Sequence, residues 1–126
     1  MTKPPKILIV DDEQDTRELF ATVLAAEGYQ ITVAEDGARA LSLFKTDTFD
    51  LVITDLKMPG SDGLQLLREI RKSGSNADVI TATGYGEVDS YISAMSLGAV
   101  EYIHKPVRVK ELRDIVQLVL KKRKLR

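Results

Sequence analysis

The chain has 126 residues, 44% of them hydrophobic and 29% charged, with a formal net charge of -1 and no cysteine. That length supports one domain with its own core; the near-neutral balance gives the whole molecule no electrostatic case for nucleic acid, and the missing thiol excludes disulfides, zinc-thiolate sites and cysteine nucleophiles. No apolar run approaches the ~20 residues of a membrane span, and the start, MTKPPK, lacks a signal-peptide apolar region, so the sequence reads as cytoplasmic and without a membrane partner.

Lys6 to Val10 (KILIV) is apolar and β-branched, which predicts a strand buried on both faces. It runs into Asp11-Asp12-Glu13. Asp15 and Glu18 have capping-box spacing, and Leu19, Phe20, Val23 and Leu24 then recur at helical spacing until Gly28 stops the helix. Gln30 to Ala34 (QITVA) reads as a second strand, more polar and therefore at an edge. Asp36-Gly37 turns the chain into a second helix marked by Ala40, Leu41 and Phe44. The stretch from Phe49 to Gly63, FDLVITDLKMPGSDG, holds the third strand. It spans Asp50 to Thr54, ends on the carboxylate of Asp55, and breaks into the loop signals Met58-Pro59-Gly60 and Asp62-Gly63. Leu64, Leu67 and Ile70 stripe a third helix, ending near Ser73-Gly74-Ser75. Asp78 to Ala82 is a fourth strand, followed by Thr83-Gly84-Tyr85-Gly86. Val88, Ile92 and Met95 mark a fourth helix closed by Gly98; Val100 to His104 is a fifth strand ending at Lys105-Pro106. Leu112, Ile115, Val116 and Val119 stripe the last helix, which enters the basic run KKRKLR. Residues 1–5 read as a tail, 6–122 as the domain, and 123–126 as a basic tail or a cut linker.

Five strands alternating with five helices predict an α/β fold: one doubly wound parallel sheet with right-handed crossovers and helices on both faces. In a parallel sheet the carboxyl ends of the strands share one rim, and that rim is where ligands bind. Here it carries Asp11-Asp12, Asp55, Thr83 and Lys105. Three converging carboxylates repel one another unless a cation lies among them, and an all-oxygen set selects a hard ion, Mg²⁺ or Mn²⁺. A hydroxyl and an ammonium are the donors that hold phosphoryl oxygens. Together these groups describe a phosphoryl-transfer site with Asp55 as nucleophile.

The segments ILIVDDE, ITDLKMPGSDG, TATGYGE, SLGAVEYIHKP and VKEL resemble the receiver domain of two-component response regulators, from Lys6 to about Lys122, and within that family the nitrogen-regulation, sigma-54-activator type. The resemblance implies a (βα)5 flavodoxin-like fold with strand order 2-1-3-4-5 and a switch that accepts a phosphoryl group from a histidine kinase or small phosphodonor. It implies that Asp55 is the phosphoacceptor, that Asp12 binds Mg²⁺ directly and Asp11 through water, and that Lys57 gives the metal its backbone carbonyl. Thr83 would bind the phosphoryl group, Lys105 would pair with Asp55 and then with the phosphoryl group, and the Lys105-Pro106 bond would be cis. Tyr102 would be the aromatic switch that turns inward as Thr83 moves, altering the face of helix four, strand five and helix five. Lys57 and Tyr85 would flank the hydrolytic water and tune the lifetime of the phosphoryl group. Partners implied are a sensor histidine kinase or phosphotransfer protein, an output domain outside this chain, and a second copy through the helix-four to helix-five face. The domain would catalyse only its own phosphorylation and dephosphorylation, and so not be a conventional enzyme.

Two other functions compete. A Mg²⁺-dependent phosphatase with an aspartyl nucleophile would usually place a second acid two residues on, where Lys57 stands, and would need a substrate cap. A flavodoxin-like cofactor binder would need an anion loop after the first strand, where Asp11-Asp12-Glu13 stands instead. His104 has no Cys or His companion in the sequence pattern, and Thr81, inside the fourth strand, needs a hydrogen-bond partner if buried.

Overall fold

The computed structural model describes residues 3–58, 61–84 and 88–125. Five parallel strands, β1 (Lys6–Val10), β2 (Gln30–Ala34), β3 (Leu51–Asp55), β4 (Asp78–Thr83) and β5 (Glu101–His104), form one sheet in the order β2-β1-β3-β4-β5. The helices are α1 (Gln14–Ala26), α2 (Gly37–Thr46), α3 (Gly63–Lys72), α4 (Val88–Ser96) and α5 (Val109–Lys124). The order reverses between β1 and β3, so crossovers run in both directions and cover both faces.

Strand alternation divides the core in two. Leu8, Val10, Val52 and Val79 pack with Ala40, Leu66, Leu67, Ile70 and Ala94, placing α2, α3 and α4 on one face. Ile7, Ile9, Leu51, Ile53 and Ile80 pack with Phe20, Leu24, Leu112 and Val116, placing α1 and α5 on the other. β1, β3 and β4 are buried almost throughout because both faces are covered; β2 and β5, at the edges, are partly exposed, as the polarity of QITVA predicts for β2. Among the described residues no helix is long and apolar enough to cross a membrane.

Several local expectations are corrected. Glu13, not Asp15, is the N-cap of α1 and makes no side-chain cap bond. Asp15 sits in the first turn, where its charge still favours the helix dipole. Asp36 does more than turn the chain: its Oδ1 accepts the Arg39 N–H at 2.8 Å and caps α2. Leu19, Ile92 and Met95 lie at helical spacing yet are exposed, and on α4 the buried residue is Ala94 instead. A two-residue antiparallel pairing, Lys57–Met58 with Ser61–Asp62, has no counterpart in the sequence reading. The basic C-terminal run begins inside α5. Arg123 donates to Asn76 O at 2.7 Å and Asn76 Oδ1 at 3.1 Å, and lies 3.6 Å from both Asp50 and Asp78, tying the last turn to the start of β3 and β4.

Thr81 is fully buried, and among the described residues its hydroxyl has no hydrogen-bond partner. An orphaned buried polar group costs about 1–3 kcal/mol, and an apolar group of the same shape removes that cost. Thr81→Val is therefore expected to raise unfolding stability by about 1 kcal/mol in a urea titration; a fall in the urea midpoint would show that the hydroxyl is bonded.

Candidate functional site

The sheet brings Asp11, Asp12, Asp55 and Lys105 together at one rim. Asp11 follows β1; its N–H donates to Ala34 O at 3.2 Å, holding the chain beside β2 as it leaves the sheet. Its carboxylate is fixed from two sides: Oδ1 accepts the Glu13 N–H at 2.9 Å and Oδ2 accepts Lys105 Nζ at 2.7 Å. Arg17 Nη1 donates to Asp11 O at 2.7 Å, a contact invisible in the sequence because Arg17 reads as an ordinary charge in the first turns of a helix. Asp55 closes β3. Its Oδ1 accepts the Lys57 N–H at 3.1 Å and its Oδ2 accepts Lys105 Nζ at 2.8 Å.

Asp11 and Asp55 are 2% and 7% exposed, so their charges need compensation. The Lys105 ammonium supplies it, bonding both, with Glu13 Oε1 a further 3.9 Å away. Burial pulls the Lys105 ammonium toward neutrality, but hydrogen bonds and charge from Asp11 and Asp55 outweigh it and hold its pKa above the ordinary lysine value. Asp12 is exposed, and carboxylate oxygens of Asp11, Asp12 and Asp55 lie within 4.8 Å of one another. Three oxygen donors, in a chain with no cysteine, fit a hard divalent cation and not a thiophilic one.

The remaining site residues are placed by the ladder. Asp55 pairs with Ala82, so Thr83 lies one position farther out on the neighbouring strand, fully buried, with its carbonyl accepting the Lys105 N–H at 2.8 Å. The Lys105-Pro106 peptide is cis, as expected. Tyr102, on β5, pairs with Thr81 of β4 and packs against the α2–α3–α4 side of the core. Lys57 offers Asp55 its N–H, with its side chain exposed. Tyr85 lies outside the described residues.

Gly63 carries a constraint that the sequence reading took for a simple turn. Its N–H donates to Leu56 O at 3.0 Å, bringing the start of α3 back onto the chain that leaves β3. A Cβ at Gly63 would lie 2.1 Å from Asp55 O and 2.8 Å from Leu56 Cα. Only a residue without a side chain permits that approach.

Comparison with known proteins is consistent along the chain. Residues 7–117 match the family model described as the response regulator receiver domain. The chain is 40% identical over 115 residues to sporulation initiation phosphotransferase F of Bacillus subtilis, covering 91% of this chain and 93% of that protein. It is 39% identical over 120 residues to the regulatory protein AtoC of Escherichia coli, covering 95% of this chain but 26% of AtoC. The crystal structure of NtrX from Brucella abortus superposes with a TM-score of 0.91 at 35% identity, over 97% of this chain and 28% of that one. The chain thus spans about a quarter of AtoC and of NtrX, and nearly all of the phosphotransferase.

Proposed function

The chain belongs to the response-regulator receiver family, whose members are phosphotransfer-regulated signalling switches, and from that premise we propose that Asp55 is the residue that accepts the phosphoryl group. The observation that carries this is the shared ammonium: Lys105 Nζ bonds both Asp11 and Asp55 at the rim, with the Asp12 carboxylate beside them.

An oxygen of Asp55 attacks the phosphorus of a phosphorylated histidine on a partner kinase or phosphotransfer protein. The new P–O bond forms as the P–N bond breaks, and the imidazole nitrogen leaves with the electron pair. Lys105, drawn off the carboxylate, then pairs with a phosphoryl oxygen, and Thr83 donates its hydroxyl to another. The cation would be held by Asp12 and Asp55, by Asp11 through water and by the Lys57 carbonyl; when bound, it neutralises the carboxylates and polarises the phosphoryl group. Mg²⁺ suits this because it keeps several waters and leaves positions for substrate oxygens. Thr83 then draws Tyr102 inward, and the face of α4, β5 and α5 changes its affinity for partners. No separate substrate is turned over.

Similarity to AtoC and NtrX supports the sigma-54-activator subtype and an output segment outside this chain. Similarity to the phosphotransferase, which the chain spans almost completely, supports a partner in a phosphotransfer chain instead. A cytoplasmic setting, consistent with the receiver family, is part of this reading. A second copy docking through the α4–β5–α5 face is part of this reading.

Intact mass after incubation with phosphoramidate and Mg²⁺ tests the central assignment. Wild type gains one phosphate; Asp55→Asn gains none, a loss of at least about a thousandfold in rate. Uptake by Asp55→Asn at the wild-type rate would place the acceptor elsewhere. Lys57, with Tyr85, is proposed to shield the acyl phosphate from water. Lys57→Ala should shorten its half-life about two- to fivefold in a dephosphorylation time course, the scale of about 0.4–1 kcal/mol, and an unchanged half-life removes Lys57 from that role.

A further inference from the structure

α4 rests lightly on the sheet. Of its described side chains only Ala94 is fully buried, while Tyr91, Ile92 and Met95 are 40%, 56% and 37% exposed. Its C-terminal end is fastened: Arg71 on α3 donates to Gly98 O at 3.0 Å and to Ala77 O at 2.9 Å. Its middle is fastened by an aromatic contact. The Tyr91 ring meets the Tyr102 ring edge-on, with centroids 4.7 Å apart and planes at 72°. Tyr102 makes a second edge contact, with the His104 ring, at 4.8 Å and 83°. Tyr102 and His104 are two apart on β5 and so share a face of the strand, where they pair with Thr81 and Thr83 of β4. The tyrosine proposed to switch is therefore held by two other rings, one on the helix that must respond.

We propose that Tyr91 and His104 form an aromatic latch that holds Tyr102 in the resting arrangement, so that phosphorylation must release these ring contacts to move Tyr102. This rests on the reading of Asp55 as acceptor and Tyr102 as switch, and names what opposes that switch. An edge-to-face pair is worth about two- to tenfold in an equilibrium beyond its area burial. A ligand favouring the released state gains at most the factor by which the latch disfavours it. The latch thus keeps the unphosphorylated protein quiet and couples α4 to β5 when it opens.

The test uses the whole chain, phosphoramidate and Mg²⁺, with initial phosphorylation rates read by intact mass. Tyr91→Ala removes an exposed ring and should raise the rate about two- to tenfold, whereas Tyr91→Phe, which keeps the ring, should restore the wild-type rate. In a Tyr102→Ala background Tyr91→Ala should add nothing, because there is no ring left to hold. Where wild type takes up phosphate, an unchanged rate in Tyr91→Ala, or an equal gain in both backgrounds, overturns the latch. A second readout needs no phosphate: the Tyr102 ring resonances of the metal-free, unphosphorylated protein should move toward averaged positions in Tyr91→Ala and stay in place in Tyr91→Phe. Unmoved Tyr102 resonances in Tyr91→Ala overturn the latch whatever happens at Asp55. Moved resonances in a protein that takes up no phosphate support the latch and overturn the reading of Asp55.

Discussion

Lys105→Met is expected to lower unfolding stability in metal-free buffer by about 2–4 kcal/mol, and to slow phosphate uptake by at least about a hundredfold. The stem of methionine fills much of the same space, so the loss is chiefly that of the ammonium. Without it, Asp11 and Asp55 face each other nearly buried, with no cation between them. Breaking a buried pair costs about 3–5 kcal/mol because the remaining charge stays desolvated. The figure is reduced here because the Lys105 side chain is 18% exposed, which lets solvent screen the site. The same logic predicts that Mg²⁺ stabilises Lys105→Met more than wild type, since the ion then supplies the positive charge that Lys105 no longer places between Asp11 and Asp55. Thermal melts with and without Mg²⁺ check both points. A variant as stable as wild type, with an equal response to Mg²⁺, would show that the ammonium does not compensate the acids.

Gly63→Ala is expected to destabilise the fold by about 3 kcal/mol or more and to impair phosphate uptake with it. The clash, at 2.1 Å, is with the backbone carbonyl of Asp55, not with the end of a flexible side chain. Relief requires moving the start of α3 or the end of β3, and β3 carries Asp55, the proposed acceptor. Displacements of about 1 Å at a reacting centre can cost about a hundredfold in rate. The pattern distinguishes this from a simple core defect: any folded Gly63→Ala protein, stabilised in the cold, should still take up phosphate slowly. Wild-type uptake together with lost stability would separate the turn from the site.

The outcome also shows how far each kind of residue announces itself. Apolar, β-branched runs bounded by turn signals located all five strands to within a residue or so at each end, most clearly where a strand is covered on both faces. Asp11, Asp12, Asp55, Thr83 and Lys105 were legible because each stands at the end of such a strand, and parallel strands put those ends on one rim. Gly63 read only as a turn, since nothing in Asp62-Gly63 tells a turn from a place where two backbones touch. Arg17 and Arg71 belong to no motif in the sequence, and Arg123 falls in the run read as a basic tail or cut linker, yet each donates to a backbone carbonyl of another segment: Asp11, Gly98 and Asn76. Such bonds depend on where helix ends arrive, which hydrophobic periodicity does not encode.

The sequence by itself therefore determined which segments are strands and which polar residues stand at the rim of the candidate site, for apolar pattern sets which segments are strands and the strand ends carry the polar residues. Tertiary structure alone decided the geometry within that frame. It put one ammonium between two carboxylates fifty and ninety-four residues away, pressed Gly63 onto the Asp55 carbonyl, and left Thr81 buried with no partner among the described residues. It also laid Tyr91 and His104 against Tyr102. These are relations between side chains and backbone that meet only when the sheet closes, and local pattern carries no record of distance across it.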